Sequence, residues 1–242
     1  MTTDISKILQ EYINKLTFQV KVSSVIDNGD GSYTLNSCDT SYLRECKPIT
    51  INNTGGPVTY TIESVVQDES FTVIGGDMPD AEVIDLPLPF YFHGYVNNTN
   101  EELVKVDDYR DKYPMIYLYE IVEEVYNNSL SNPVAFTTNV RLFFMDTTNA
   151  EDYKTEDHYV EVIRPMRALV RGFLNDINTD ASEIFQEPEQ FRIVPWVNFG
   201  RFEQDNGTTK YLFNDHLSGV ELRIDLNVRR SYINSLNCNK GC

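Results

Sequence analysis

Three histidines, His93, His158 and His216, are the side chains best suited to proton transfer near neutral pH or to metal binding. They fall in three separate segments, and none has a second His or Cys at the spacing of an H-E-x-x-H helix or a C-x2-C pair. Cys38, Cys46, Cys238 and Cys242 also lack zinc-site spacing, and in a chain with no secretory signal pattern their thiols are expected to be reduced and structurally incidental. No G-x-S-x-G elbow, P-loop or G-x-G-x-x-G turn occurs, which removes the hydrolases, nucleotide enzymes and dinucleotide binders recognisable by motif. Asp27-Asn28-Gly29-Asp30-Gly31 has the composition of a calcium loop. Aligning Gly31 with the invariant glycine of such a loop puts Ile26 at the first ligand position and Ser37 where a bidentate Glu belongs, so the segment reads as a hairpin turn. The carboxylate pairs Glu101-Glu102, Asp107-Asp108 and Glu123-Glu124 follow from a composition with 37 acids and carry no catalytic weight. No catalytic residue, metal or cofactor is expected.

One charge pattern has a specific consequence. Arg164, Arg167 and Arg171 stand at i, i+3 and i+7, which places them on one face of a helix, opposite much of its apolar stripe. This is either a solvated face or a subunit interface, in which the arginines of one copy meet Glu151, Asp152, Glu156 and Asp157 of its neighbour. The planar guanidinium pairs bidentately with carboxylates and suits the second role.

The elements that must position these residues follow from periodicity. Ile5, Ile8, Leu9, Tyr12, Ile13 and Leu16 recur at helical spacing after Thr2-Thr3-Asp4, which offers N-cap oxygens. From Phe18 the period becomes two, and short strands punctuated by Gly and Asn turns continue to about residue 96. Met115 to Val125 and Val134 to Phe144 read as two paired strands, and Ile163, Met166, Val170, Phe173 and Ile177 as a second helix with Pro165 near its start. Val220, Leu222, Ile224, Leu226 and Val228 alternate with polar residues in a half-buried strand. The expected fold class is α+β: a mainly antiparallel sheet with packed helices, plus an inserted small all-β barrel or sandwich. The expected organisation is an N-terminal helix over 1–17 packing on the core, an inserted β domain over 18–96 and a core domain over 97–242.

Charge and hydropathy narrow the partners. The 37 acids against 20 bases give a net charge of −17, which disfavours a protein that holds nucleic acid by neutralising phosphates. The bases concentrate towards the C-terminal half. No apolar run approaches the roughly 20 residues of a bilayer span, so cytosolic synthesis and no membrane partner are expected.

The segment from Tyr113 to Arg230 resembles tailed-phage neck or tail-terminator proteins, including those of the crAss-like podoviruses of Bacteroidetes. The resemblance rests on Pro114-Met115-Ile116-Tyr117-Leu118-Tyr119-Glu120, Arg141-Leu142-Phe143-Phe144-Met145, the helix around Met166 to Leu174, and Phe213 to Leu222. It implies an α+β fold and a structural virion protein, not an enzyme. Such a protein forms a homo-oligomeric ring in the head-to-tail connector or tail, contacts neighbouring portal or tail rings, lets DNA pass through its lumen, and is assembled in the bacterial cytoplasm. A second reading is a β-rich binding module for a host glycan or tail fibre, with Tyr91, Phe92 and Tyr95 as candidate aromatics. A hydrolase of unrecognised family ranks last.

Overall fold

Asp4 accepts a hydrogen bond from Ser6 N at 3.0 Å and starts helix α1, Ile5–Ile13, whose Ile5, Ile8, Leu9, Tyr12 and Ile13 are buried. The computed structural model describes residues 4–94, 112–119, 122–148, 153–178, 183–203, 209–211, 213 and 215–238. After α1 the alternating pattern forms β1 (Gln19–Lys21), β2 (Ser24–Asp27), β3 (Ser32–Asn36), β4 (Pro48–Asn53), β5 (Gly56–Val66), β6 (Ser70–Ile74) and β7 (Val83–Asp85). Strands β2 to β6 form an antiparallel sheet in the order β2-β3-β6-β5-β4, and β1 pairs with β7. Val20 and Ile84 of the β1–β7 ribbon share a core with Leu35, Ile49, Ile51, Tyr60, Phe71 and Val73 of the sheet. The 27–31 segment is a hairpin turn. Gly29 and Gly31 take positive φ, and Asp27 and Asp30 accept from the backbone N–H of Gly29 (2.8 Å) and Ser32 (2.9 Å).

The second sheet is larger. Its strands are β8 (Phe90–Gly94), β9 (Met115–Tyr119), β10 (Glu123–Tyr126), β11 (Val134–Thr147), β12 (Phe185–Gln186), β13 (Phe191–Phe199) and β16 (Leu217–Arg229), while β14 (Arg201–Glu203) and β15 (Thr209–Tyr211) form a separate antiparallel pair. The order is β12-β16-β11-β9-β8, with β10 also on β11 and β13 also on β16. All pairs are antiparallel except β8–β9. Because β8 lies in this sheet, the large unit takes in residues before 96.

The two long strands, β11 and β16, pair from Val134↔Arg229 to Thr147↔Leu217 and put Phe136, Val140, Leu142, Phe144, Val220, Leu222, Ile224, Leu226 and Val228 on one buried face. Helical residues cover that face: α1, then α2 (Thr155–His158), a π-helical turn (Tyr159–Ile163) and α3 (Arg164–Asn178). In a regular helix Pro165 would clash with the carbonyl of Glu161, and the widened turn just before it relieves the clash. Burying each large side chain contributes about 1.5 to 3 kcal/mol before the entropy of ordering is subtracted. A last helix, α4 (Arg230–Cys238), closes the chain's described part.

The expected α+β class is corrected. Strands make up 47% and helices 21% of the described residues, so the fold is mostly β. The helices cover one face of one sheet. Two strongly periodic helical stripes weigh heavily in a sequence reading, whereas long strands and short irregular ones together account for far more of the chain. No described helix is long and apolar enough to cross a membrane.

The units meet at Asp146 on β11, which is buried and lies 2.8 Å from Arg44 Nη1 and 3.1 Å from Lys47 Nζ of the small unit. A cavity of about 110 Å³ adjoins this contact, lined among others by Phe18, Leu43, Ile62, Leu86 and Met166.

Candidate assembly surface

The face of the large sheet turned away from the helices changes character along the strands. At the Leu217 end it is apolar: Met115, Tyr117, Phe143, Met145, Phe213 and Leu217 form a third core, with Phe199 packed against it. Towards the middle it becomes charged. Arg223 of β16 stands directly opposite Arg141 of β11 and Arg192 of β13, so three arginines form a row across three strands on one face. Like charges at this spacing destabilise a sheet. The next pair along, Asn139 and Asp225, is joined by a hydrogen bond of 2.7 Å.

Glu221 offsets part of that repulsion. It is fully buried and accepts from Arg141 Nε (2.5 Å), Arg223 Nε (2.8 Å) and Nη2 (3.0 Å), and Trp196 Nε1 (2.9 Å). Burial alone would raise its carboxyl pKa; the hydrogen bonds from Arg223, Arg141 and Trp196 outweigh burial and hold it below the usual range. The Arg141 guanidinium also lies 5.3 Å from the Tyr119 ring centroid and 5.5 Å from that of Phe143. Arg192 is exposed and has no hydrogen bond or ion pair among the described residues. An open cavity of about 660 Å³ lies over the row, bordered by Asn139, Arg141, Phe191, Arg192, Arg223 and Asp225. A fully ionised, doubly clamped carboxylate is poor at proton transfer, and the surplus arginine charge favours recognition of carboxylates.

The arginines expected to form an interface, Arg164, Arg167 and Arg171, are exposed along α3 and have no ion pair among the described residues. Of their expected partners, Glu156 is exposed on α2, and Asp157 is half-buried and accepts from Lys154 N at 2.8 Å, where it serves its own helix start. Glu151 and Asp152 lie outside the described residues.

The three histidines are not brought together. His93 sits on β8 opposite Leu118, and His216 precedes β16. His158 is buried, with Nδ1 2.9 Å from Thr148 Oγ1 and 3.1 Å from Ser218 Oγ. Burial lowers its pKa, with Asp157 opposing. Ser218 is also fully buried and accepts from Asn198 N (3.0 Å), so this serine and histidine form a buried network. No group of three or more His, Cys, Asp or Glu among the described residues is placed to hold a metal ion. Cys38 and Cys46 are free and exposed.

Two of the aromatics considered for glycan binding are half-buried and pack against the cores. Tyr91 packs against the main core and its hydroxyl donates to Ser6 O at 3.1 Å, while Phe92 packs against the third core beside Tyr117. Tyr95 lies outside the described residues. Sequence reading missed the Arg141, Arg192, Glu221 and Trp196 assembly. Alternation assigned Glu221 and Arg223 to a polar face, but which residues stand opposite depends on strand register across about 80 residues. Comparison with protein-family models, curated proteins and solved structures found no match.

Proposed function

We propose that this chain is a non-catalytic assembly protein that forms a homo-oligomeric ring, and that the ring is a virion component of the head-to-tail connector or tail of a tailed phage. In this reading it stacks on neighbouring portal, connector or tail rings and DNA passes through its lumen. The observation that carries it is the state of six arginines on two surfaces of a chain with net charge −17. Arg164, Arg167, Arg171 and Arg192 have no carboxylate partner among the described residues, and Arg141 and Arg223 share one. Cationic patches on an acidic chain are complementary to other copies of that chain, and a ring needs two complementary surfaces on each subunit. The resemblance of Tyr113 to Arg230 to phage ring proteins supplies the finer part of the proposal. A strongly acidic ring also suits a channel that lets DNA slide, because it does not neutralise phosphates.

Sedimentation and negative-stain imaging of the purified protein test this. Rings or large oligomers are expected; a strict monomer at high concentration, also in the presence of portal and neighbouring tail proteins, overturns it. Reversing charge at Arg167 and Arg171 should weaken assembly and leave the monomer's melting temperature near wild type. Unchanged assembly would make the α3 stripe a solvated face.

A further inference from the structure

Among the described residues the large sheet has an unpaired edge on each side: β10 pairs only with β11, and β13 pairs only with β16. Unpaired edges present unmade backbone hydrogen bonds, which proteins cover, charge with lysine, or interrupt with proline and bulges. Strand β13 is interrupted only in its second half, by Pro195 and by a register shift between Trp196 and Phe199, while Phe191 to Val194 keeps regular pairing. Neither edge strand contains lysine. Both expose large apolar side chains: Val125 is 61% and Tyr126 60% exposed on one edge, Phe191 46% and Trp196 38% on the other.

Charge and parity make the edges complementary. Glu123 is opposite Asn139, and Asn139 shares the open face with Arg141 two residues on, so Glu123 lies on that face. Arg192, opposite Arg223, lies on the same face at the far edge. A sheet continued from one copy into the next would therefore carry a carboxylate to the end of the arginine row.

We propose that the β10 edge of one copy pairs with the β13 edge of a second copy, continuing the large sheet across subunits, with the Glu123 carboxylate against Arg192 and the exposed apolar residues of both edges buried between them. The contact is head-to-tail, so it repeats and closes into a ring when its rotation permits. It rests on the ring-forming function proposed above and names that ring's lateral interface. Each copy supplies both halves: Glu123 and Val125 on one side, Arg192, Phe191 and the indole held by Glu221 on the other.

A charge swap tests it. Both residues are exposed, so Glu123→Arg and Arg192→Glu should each leave the monomer's melting temperature near wild type. Each should weaken association in sedimentation about tenfold or more, by replacing an opposite-charge contact with a like-charge one. The double variant should recover association, and so should mixing the two single variants, because each contact then joins either two native or two reversed charges. If wild type assembles and the single variants assemble equally well, or the double variant stays as weak as the singles, this interface is wrong while the ring-forming function stands. If wild type does not associate, alone or with portal and tail proteins, the ring-forming function falls and this interface with it.

Discussion

The two β units place their charged and polar groups in opposite ways. In the small unit the carboxylates close turns: Asp27 and Asp30 accept from N–H groups two residues on, and Asp80 accepts from Thr54 N at 2.9 and 3.1 Å across neighbouring loops. Hydrogen bonds from Ser32 and Thr54 hold Asp30 and Asp80 below the usual carboxylate range, and both side chains stay in solvent. In the large sheet the key carboxylate, Glu221, is buried and binds arginines from two strands. The first arrangement finishes a local turn, whereas the second requires long-range register and leaves arginine charge in excess. Surplus arginine charge and edges unpaired among the described residues coincide in the large sheet, which is why the proposed assembly is placed there.

The sharpest way to break this contrast is to make the same isosteric change in both units. Glu221→Gln leaves Arg141 and Arg223 facing each other without a shared anion. Loss of one partner of a buried ion pair costs about 3 to 5 kcal/mol, and the value here should fall near about 3 because both arginines are partly solvated, 37% and 43% exposed. Asp30→Asn should leave the urea midpoint near wild type. The two variants also differ in how their stability responds to acid. Glu221 has a depressed folded pKa, so its contribution is present above the ordinary Glu value of about 4.3 and is lost as pH falls through the folded value. Glu221→Gln should lack that loss. Equal midpoints for Glu221→Gln and wild type would mean that the arginine row is held by the backbone alone.

How much was legible in the sequence follows from the same distinction. Helix α3 and strand β16 could be read because their patterns are local: Met166, Val170 and Phe173 repeat at helical spacing, and Val220 to Val228 alternate. The Asp27 to Gly31 turn could be read because two glycines and two carboxylates act within five residues. The arginine row could not. Along β16 the polar face reads Glu221, Arg223, Asp225, Asn227, alternating in sign, and it becomes a row of like charge only once β11 and β13 are laid beside it in register. The fold class failed for a related reason. Short strands such as β8, β10 and β12 owe their existence to partners far along the chain, and their own sequences announce them weakly.

A smaller effect tests whether His158, where α2 meets the sheet, behaves as an interior group. Burial depresses its folded pKa below the ordinary value of about 6.5, so the unfolded chain takes up a proton first. Stability is then highest above about pH 6.5 and falls as pH drops from there through the folded value, with a slope of at most about 1.4 kcal/mol per pH unit. Urea midpoints measured from pH 8 to pH 5 should show the decline in wild type and a flatter profile in His158→Gln. The Glu221 effect begins at lower pH, so the two are separable. A wild-type profile as flat as that of the variant would mean that His158 stays solvated.

The smallest expected change probes the small unit. Tyr60 is buried in its core, its hydroxyl donates to Asp77 O at 2.6 Å, and it accepts from Asn53 Nδ2 at 2.8 Å. Tyr60→Phe keeps the ring and removes both bonds; a neutral hydrogen bond contributes about 1 kcal/mol net, and the loop groups left behind can turn to water. The loss should therefore be about 1 kcal/mol, a third of that for Glu221→Gln, and association should be unchanged because Tyr60 lies in the other unit. A change in association in this variant would mean that the small unit also contributes to the proposed interface, and the division between a self-contained unit and a sheet proposed to assemble would have to be redrawn.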